Sequence, residues 1–363
     1  MESQQAMLTA SSAEKNLSNN QTWQNMKKPK NILVLCTVEA GVDILLQLYE
    51  NDIHILHWLS LDPTKHGPDS ISGFVDCSQI SKELGINHSF VDSYSLNSNS
   101  DREKISAINP DLVLVLGWQR LVPDWLIGIP EFGVLGTHGS PHGIEKGRGR
   151  SPQTWSIIFA EEEFELSLFK IDSGVDSGAV LDRRKWKIRK EDDIRTSYFR
   201  SCLAAAEMIT DLLTNPEKDF EGELQSAEFR YYPAREPEDG FVDWNLSKDQ
   251  IVRHCRALTY PYPGLRFCDE EAIVTIWNCF QFDETTTGEP GRISACFNSG
   301  DFLVECKDGR ILIRKWSSDP KSWIPKSGNV LSGVEWSETM RKIVKRHEQK
   351  NPEQKLTDDF YEL

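Results

Sequence analysis

No apolar run in this 363-residue chain approaches the roughly 20 residues that cross a bilayer. The first 29 residues, rich in Gln, Asn, Ser and Lys, hold no apolar core of the kind a secretory leader needs. A cytoplasmic protein without a membrane partner is therefore expected. Paired cysteines are also missing. The eight present, at positions 36, 77, 202, 255, 268, 279, 296 and 306, form no CxxC pair and sit mostly inside apolar runs, and the histidines do not cluster. That pattern predicts buried, reduced thiols rather than disulfides or zinc, and no metal site. Positive charge is in short supply as well: Lys and Arg number 41 against 56 Asp and Glu, a net charge of −15. A nucleic acid as the main partner is disfavoured, because phosphate binding needs clustered cations to displace counterions. The densest basic stretch, Arg183 to Lys190, alternates in a way that gives a strand with one solvated face. No internal repeat is visible.

What the sequence does contain is a series of short, nearly unbroken apolar runs at 31–36, 53–60 and 111–116, with a weaker one at 88–91. Such runs are how strands covered on both faces read. Helix-like stretches at 39–50, 75–84 and 101–107 separate them, so strand and helix alternate and a doubly wound, mostly parallel α/β sheet is expected. A strand at 132–136 leads into Thr137-His138-Gly139-Ser140, and Pro152 suits the first turn of a helix. Two paired strands at 164–171 and 179–188 and a helix from 192 to 214, opened by Asp192 and Asp193, complete this part. Beyond 215 a helix at 247–258 is followed by short strands at 272–282, 291–297, 301–306 and 310–316, the pattern of a small β-rich barrel. Helical spacing returns at 335–350 and gives way to a charged tail. The chain thus divides into a tail (1–29), an α/β domain (30–215), a smaller β domain (216–332) and a helical, charged C-terminal stretch (333–363).

Ligands of open α/β sheets bind beyond the carboxyl ends of the strands. Three polar segments fall there: Thr37 to Gly41, Gly117 to Arg120, and Thr137 to Ser140. A histidine at such a place can move a proton in either direction near neutrality, and a carboxylate usually assists it. His138 is that histidine. Asp176, in a loop flanked by Gly174 and Gly178, is close enough in topology to be its partner, since one helix and one returning strand bring the second loop beside the first.

The order of motifs resembles the folate-dependent formyltransferase family, which includes methionyl-tRNA, sugar N- and glycinamide ribonucleotide formyltransferases. It runs from His138-Gly139-Ser140 through Gly147-Arg148-Gly149-Arg150-Ser151-Pro152 to Asp172-x-Gly174-x-Asp176-Ser-Gly178. Further on, Tyr232-Pro233, Gly240-x-Val242-Asp243-Trp244, Arg256-Ala257-Leu258 and Tyr262-Pro263-Gly264 resemble the OB-like C-terminal module of the methionyl-tRNA and sugar members. The resemblance implies a 10-formyltetrahydrofolate co-substrate, with His138 handling the proton and Asp176 fixing its charge state. It also implies a reduced-folate site made by Gly117, Trp118, Gln119, Arg120, Leu121, Asp172, Gly174 and Val175, and acceptor contacts from His142, Arg148 and Arg150.

One departure stands out. The Asn that the family carries two residues before the histidine is Gly136 here, and the following loop lacks the usual Leu-Leu-Pro run and carries His142 instead. Loss of an oxyanion donor costs about 10²- to 10³-fold in rate elsewhere. Either the hydroxyl of Thr137 or Ser140 substitutes as a catalytic group, or the chain runs a related transfer with other demands, or activity has been lost. The expected activity is N-formylation of a small-molecule amine such as an aminosugar nucleotide. Methionyl-tRNA formylation, hydrolysis of the formyl donor and a non-catalytic ligand-binding role are the alternatives, and association into a homodimer is left open.

Overall fold

A computed structural model describes residues 27–225, 228–286 and 288–361. Most of the expected N-terminal tail lies outside the described residues. In chain order the first part runs β1 (Ile32–Leu35), α1 (Glu39–Glu50), β2 (His57–Leu61), α2 (Ser78–Glu83), β3 (Asn87–Val91), α3 (Asn99–Ile108), β4 (Leu112–Val115), α4 (Asp124–Ile127) and β5 (Val134–Ser140). It continues with β6 (Arg148–Gly149), α5 (Pro152–Ile158), β7 (Glu163–Lys170), β8 (Val180–Lys187) and α6 (Ile194–Thr214). The second part holds β9 (Tyr231–Tyr232), α7 (Lys248–Leu258), β10 (Leu265–Asp269), β11 (Ala272–Asp283), β12 (Ile293–Cys296), β13 (Phe302–Cys306), β14 (Gly309–Asp319) and α8 (Trp336–Lys350).

A seven-stranded sheet has the order β3-β2-β1-β4-β5-β7-β8. The first five strands pair in parallel, whereas β7 is antiparallel to both β5 and β8. The apolar runs behave as strands covered on both faces should. In β1, Ile32 and Val34 enter one core with α1 and α6, while Leu33 and Leu35 enter the other with Val113, Ile105 and Leu126. Helix α6 begins where the acidic pair predicts, with Asp193 accepting a hydrogen bond from the Thr196 amide at 2.8 Å.

The chain reverses direction across the sheet between β1 and β4, so the crevice for a ligand opens at their carboxyl ends. Here β5 departs from expectation. Its parallel pairing with β4 ends at Gly136, but the strand continues through Ser140 on antiparallel pairing with β7 alone. His138 therefore stands on a strand that overshoots its parallel neighbour, not in a loop after it.

The second sheet, ordered β10-β11-β14-β13-β12, is antiparallel throughout. Residues 328–334 draw its two edges together: Leu331 N donates to Gly291 O, Ser332 N to Cys268 O and Val334 N to Val242 O. That strap satisfies edge groups that would otherwise be open. No described helix is long and apolar enough to cross a membrane.

Three features escaped the sequence reading. Strand β10 was not anticipated. The two-residue strands β6 and β9 pair with each other in parallel. The stretch after α8, read as a charged tail, returns to the body of the protein and buries Leu356 and Phe360.

Candidate active site

His138 and Asp176 meet. The Nδ1 atom of His138 lies 3.5 Å from Asp176 Oδ2, and both side chains are largely buried, at 11% and 21% exposure. On the other side of the ring, Nε2 is 2.7 Å from the Gly147 carbonyl. A carbonyl only accepts, so Nε2 is the donor and Nδ1 is the atom left to exchange a proton beside the carboxylate. Asp176 has a backbone φ of 51° and accepts from the Gly149 amide at 3.1 Å. A non-glycine residue held in the left-handed region carries a cost that the surrounding contacts must offset. Both members of the pair are thus anchored by the same short stretch, Gly147 to Gly149.

The pair opens onto a cavity of about 620 Å³, a size suited to a cofactor-scale ligand. One wall is the β1–β4 crevice. Gly117 turns there with φ +74°, and a Cβ on it would stand 2.2 Å from Val38 Cγ2, so only glycine lets the two strand ends approach so closely. Trp118 is 7% exposed and lines the cavity, its ring edge-on to Tyr94 at 5.0 Å. Its indole Nε1 has no hydrogen-bond partner among the described residues. The Tyr94 hydroxyl accepts from the Gln119 amide at 3.0 Å and fixes this turn, with Arg120 stacked over the Tyr94 ring.

Of the residues singled out from sequence, Thr137, His138, Asp176, Gly117, Trp118, Gln119, Arg120, Leu121, Gly174, Val175 and Arg150 all line this cavity. Four do not. Ser140 is fully buried, and its hydroxyl accepts from the His142 amide at 3.2 Å, so it cannot replace the missing Asn. Asp172 accepts from Gly174 N and Ser177 Oγ and shapes the loop instead of facing a ligand. Arg148 is buried, stacked on Phe229 and bonded to Gln225. His142 pairs with Glu161 at 3.2 Å and Asp359 at 4.0 Å, and its pKa is raised chiefly by the bond to Glu161.

Gly136 lines the cavity, and a Cβ there would meet Ile171 Cδ1 at 3.0 Å. Thr137 also lines it and makes no side-chain hydrogen bond among the described residues.

Sequence reasoning missed the far wall, which comes from α6 and the second part of the chain: Arg195, Tyr198, Arg235, Pro261 and Tyr262. The Tyr198 and Tyr262 hydroxyls are 2.6 Å apart, and burial pushes the Tyr198 phenol well above its usual range. Arg235 is packed over the Trp155 and Trp336 rings, and burial lowers its pKa to about 10. The Tyr-Pro-Gly motif was a usable signal for this wall. Arg235 had none beyond its place after Tyr232-Pro233.

A doubly wound sheet carries a histidine–carboxylate pair at its carboxyl edge, and an antiparallel module closes over it. The family model described as formyl transferase matches residues 30–212, and that described as formyl transferase, C-terminal domain, matches residues 235–326. The chain belongs to the formyl transferase family. A methionyl-tRNA formyltransferase of Citrifermentans bemidjiense is 29% identical over 240 residues, covering 64% of this chain and 71% of that one. HypX from Aquifex aeolicus, solved with tetrahydrofolic acid, shares the fold at a TM-score of 0.57 and 17% identity over 88% of this chain, which spans 48% of HypX. An N-formyltransferase from Helicobacter canadensis, solved with folinic acid and dTDP-3-aminofucose, does so at 0.52 and 14% identity, with 78% of this chain and 99% of that one covered.

Proposed function

We propose that this chain is an N-formyltransferase that moves a formyl group from 10-formyltetrahydrofolate to the amine of a small molecule, an aminosugar nucleotide. The observation that carries the reading is the His138–Asp176 pair, 3.5 Å apart, opening on a cavity with a buried indole on one wall and arginines on the others. The pterin lies against Trp118 and the turn at Gly117. The acceptor amine attacks the formyl carbon, the bond from that carbon to the folate N10 breaks, and His138 passes the amine proton to N10 while Asp176 balances its charge. Arg150, Arg195 and Arg235 suit the diphosphate of a sugar nucleotide. Support for the donor comes from the relatives solved with reduced folates.

A second reading, methionyl-tRNA formylation, is favoured by the name of the Citrifermentans bemidjiense relative. Against it stands the acidity of the second part, where Asp and Glu outnumber Lys and Arg between 226 and 320. Incubation with 10-formyltetrahydrofolate and either dTDP-3-aminofucose or methionyl-tRNA separates the two. Formyl-aminosugar is the expected product, and rapid methionyl formylation overturns the choice of acceptor. Free formate without acceptor marks a hydrolase. In the active chain, His138→Ala is expected to lower turnover at least about 10³-fold and leave tetrahydrofolate affinity within about twofold. Folate binding without turnover in the parent chain would instead mark a ligand-binding protein.

A further inference from the structure

The Gly147-Arg148-Gly149-Arg150 motif holds the catalytic pair from behind, and the strand that supports it is itself held by the end of the chain. Arg148 N donates to Arg230 O and Arg150 N to Tyr232 O, each at 3.0 Å, which lays β6 along β9. The opposite edge of β9 is taken up by residues 355–357: Tyr231 N donates to Lys355 O at 2.9 Å, and Thr357 N to Tyr231 O at 3.2 Å. A Cβ on Gly149 would fall 2.6 Å from Tyr232 O, and one on Gly147 would fall 1.6 Å from Ser140 Oγ, so both glycines are there for close packing.

Side chains fasten the same segment. Leu356 and Phe360 are 1% and 4% exposed. The Phe360 ring sits edge-on to Trp155 at 4.8 Å and to Phe159 at 5.3 Å. Asp359 faces His142, on the loop between β5 and β6, at 4.0 Å. The turn out of α8 is fixed by His347 Nε2 against Gln354 O at 2.9 Å and by the Asn351 amide on His347 O. Both family matches end before this segment, at residue 326 or earlier.

We propose that residues 351–361 are a positioning strap for the active site: seated on β9, they fix β6, and through it the Gly147 carbonyl on His138 and the Gly149 amide on Asp176. The path is short and continuous. From strap to β9 to β6 there is one layer of backbone hydrogen bonds at each step, and the last step ends on the two groups that do the chemistry. Loss of the strap releases the pair's geometry and leaves the folate wall at Gly117 and Trp118 untouched, because that wall is built from β1 and β4. The assignment of a catalytic role to the pair rests on the proposed formyl transfer. The mechanical coupling does not.

The test uses the full chain with Phe360→Ala and Leu356→Ala, with Phe360→Leu as the conservative variant. Amide hydrogen exchange is read at Gly149 and Arg150, alongside turnover of 10-formyltetrahydrofolate with dTDP-3-aminofucose and binding of tetrahydrofolate. Expected are faster exchange at Gly149 and Arg150 with the β1 and β4 amides still protected, kcat lowered about 10- to 100-fold, folate affinity within about twofold, and recovery in Phe360→Leu. Unchanged exchange at Gly149 overturns the proposal. So does a general rise in exchange with folate affinity lost in step, which marks a merely structural role. If the parent chain transfers no formyl group, the proposed function fails while the exchange measurement still decides the coupling.

Discussion

At the scale of single residues, the point of tension is Gly136. Residues 136 and 138 lie on one face of β5 and 137 on the other, so an Asn at 136 would extend its carboxamide on the His138 side. Ile171 lies against that Cβ, with Cδ1 at 3.0 Å and Cγ1 at 3.3 Å, so its side chain has to shift by a few tenths of an ångström. The site has no donor from that position, and Ser140 is turned into the core. The remaining hydroxyl, that of Thr137, lies on the face away from His138. Thr137→Val is therefore expected to keep kcat and folate affinity within about twofold, whereas Gly136→Asn, which adds a donor on the His138 face, is expected to raise kcat about 10-fold. Steady-state kinetics on the two variants check this. A loss of about 10-fold or more in Thr137→Val would place the hydroxyl in the reaction.

Secondary elements differ in how openly the sequence shows them. Strands β1, β2 and β4 were legible because each is an apolar run buried on both faces, and α6 because Asp193 caps it and its apolar positions recur at helical spacing. Strands β6 and β9 were not, since two residues carry no period, and Arg148 was misread as an acceptor contact because its charge is visible in sequence and its stacking on Phe229 is not. The strap failed for a related reason: only Leu356 and Phe360 are buried in a stretch that otherwise reads as charged. Helix α7 shows what a legible element can still conceal. Ser247 and Gln250 form a reciprocal cap, and its inward face buries His254 against the Trp336 ring of α8 at 4.4 Å. Burial lowers the His254 pKa from 6.5 to about 3, helped by nearby Arg235 and Arg253. The unfolded chain thus binds the extra proton between those values. This contribution to stability is complete above pH 6.5 and falls as pH drops toward 3, by about 1.4 kcal/mol per unit. Urea denaturation at pH 7.5 and 5.0 is expected to show the parent losing about 2 kcal/mol more than His254→Leu over that interval. Equal losses would mean that the imidazole is not buried neutral.

For the whole molecule, the decisive fact is that the two matched segments share a core. Trp155, Ile157, Ile158 and Ile194, from the α/β part, belong to the same apolar cluster as Val242, Ile251, Phe267 and Ile313 of the antiparallel part. Polar contacts cross at the same place: Trp155 Nε1 donates to Pro233 O at 3.0 Å, Arg253 Nε to Ile158 O at 3.1 Å, and Arg256 Nη1 to Asp192 O at 2.5 Å. Separating the parts would expose Trp155, which is fully buried, and strip partners from backbone carbonyls on both sides. Domains joined by small polar interfaces move and melt independently, whereas a continuous apolar core makes them one cooperative unit. The walls of the cavity are therefore held at a fixed spacing, and its far wall does not depend on a hinge to form. Calorimetry of the full chain is expected to show one transition, at the same temperature at which tetrahydrofolate binding is lost. Residues 30–215 alone are expected to lack it, because the cut leaves α5 uncovered. Two resolved transitions, or a native-like melt of that fragment, would show that the shared core is not what joins the halves.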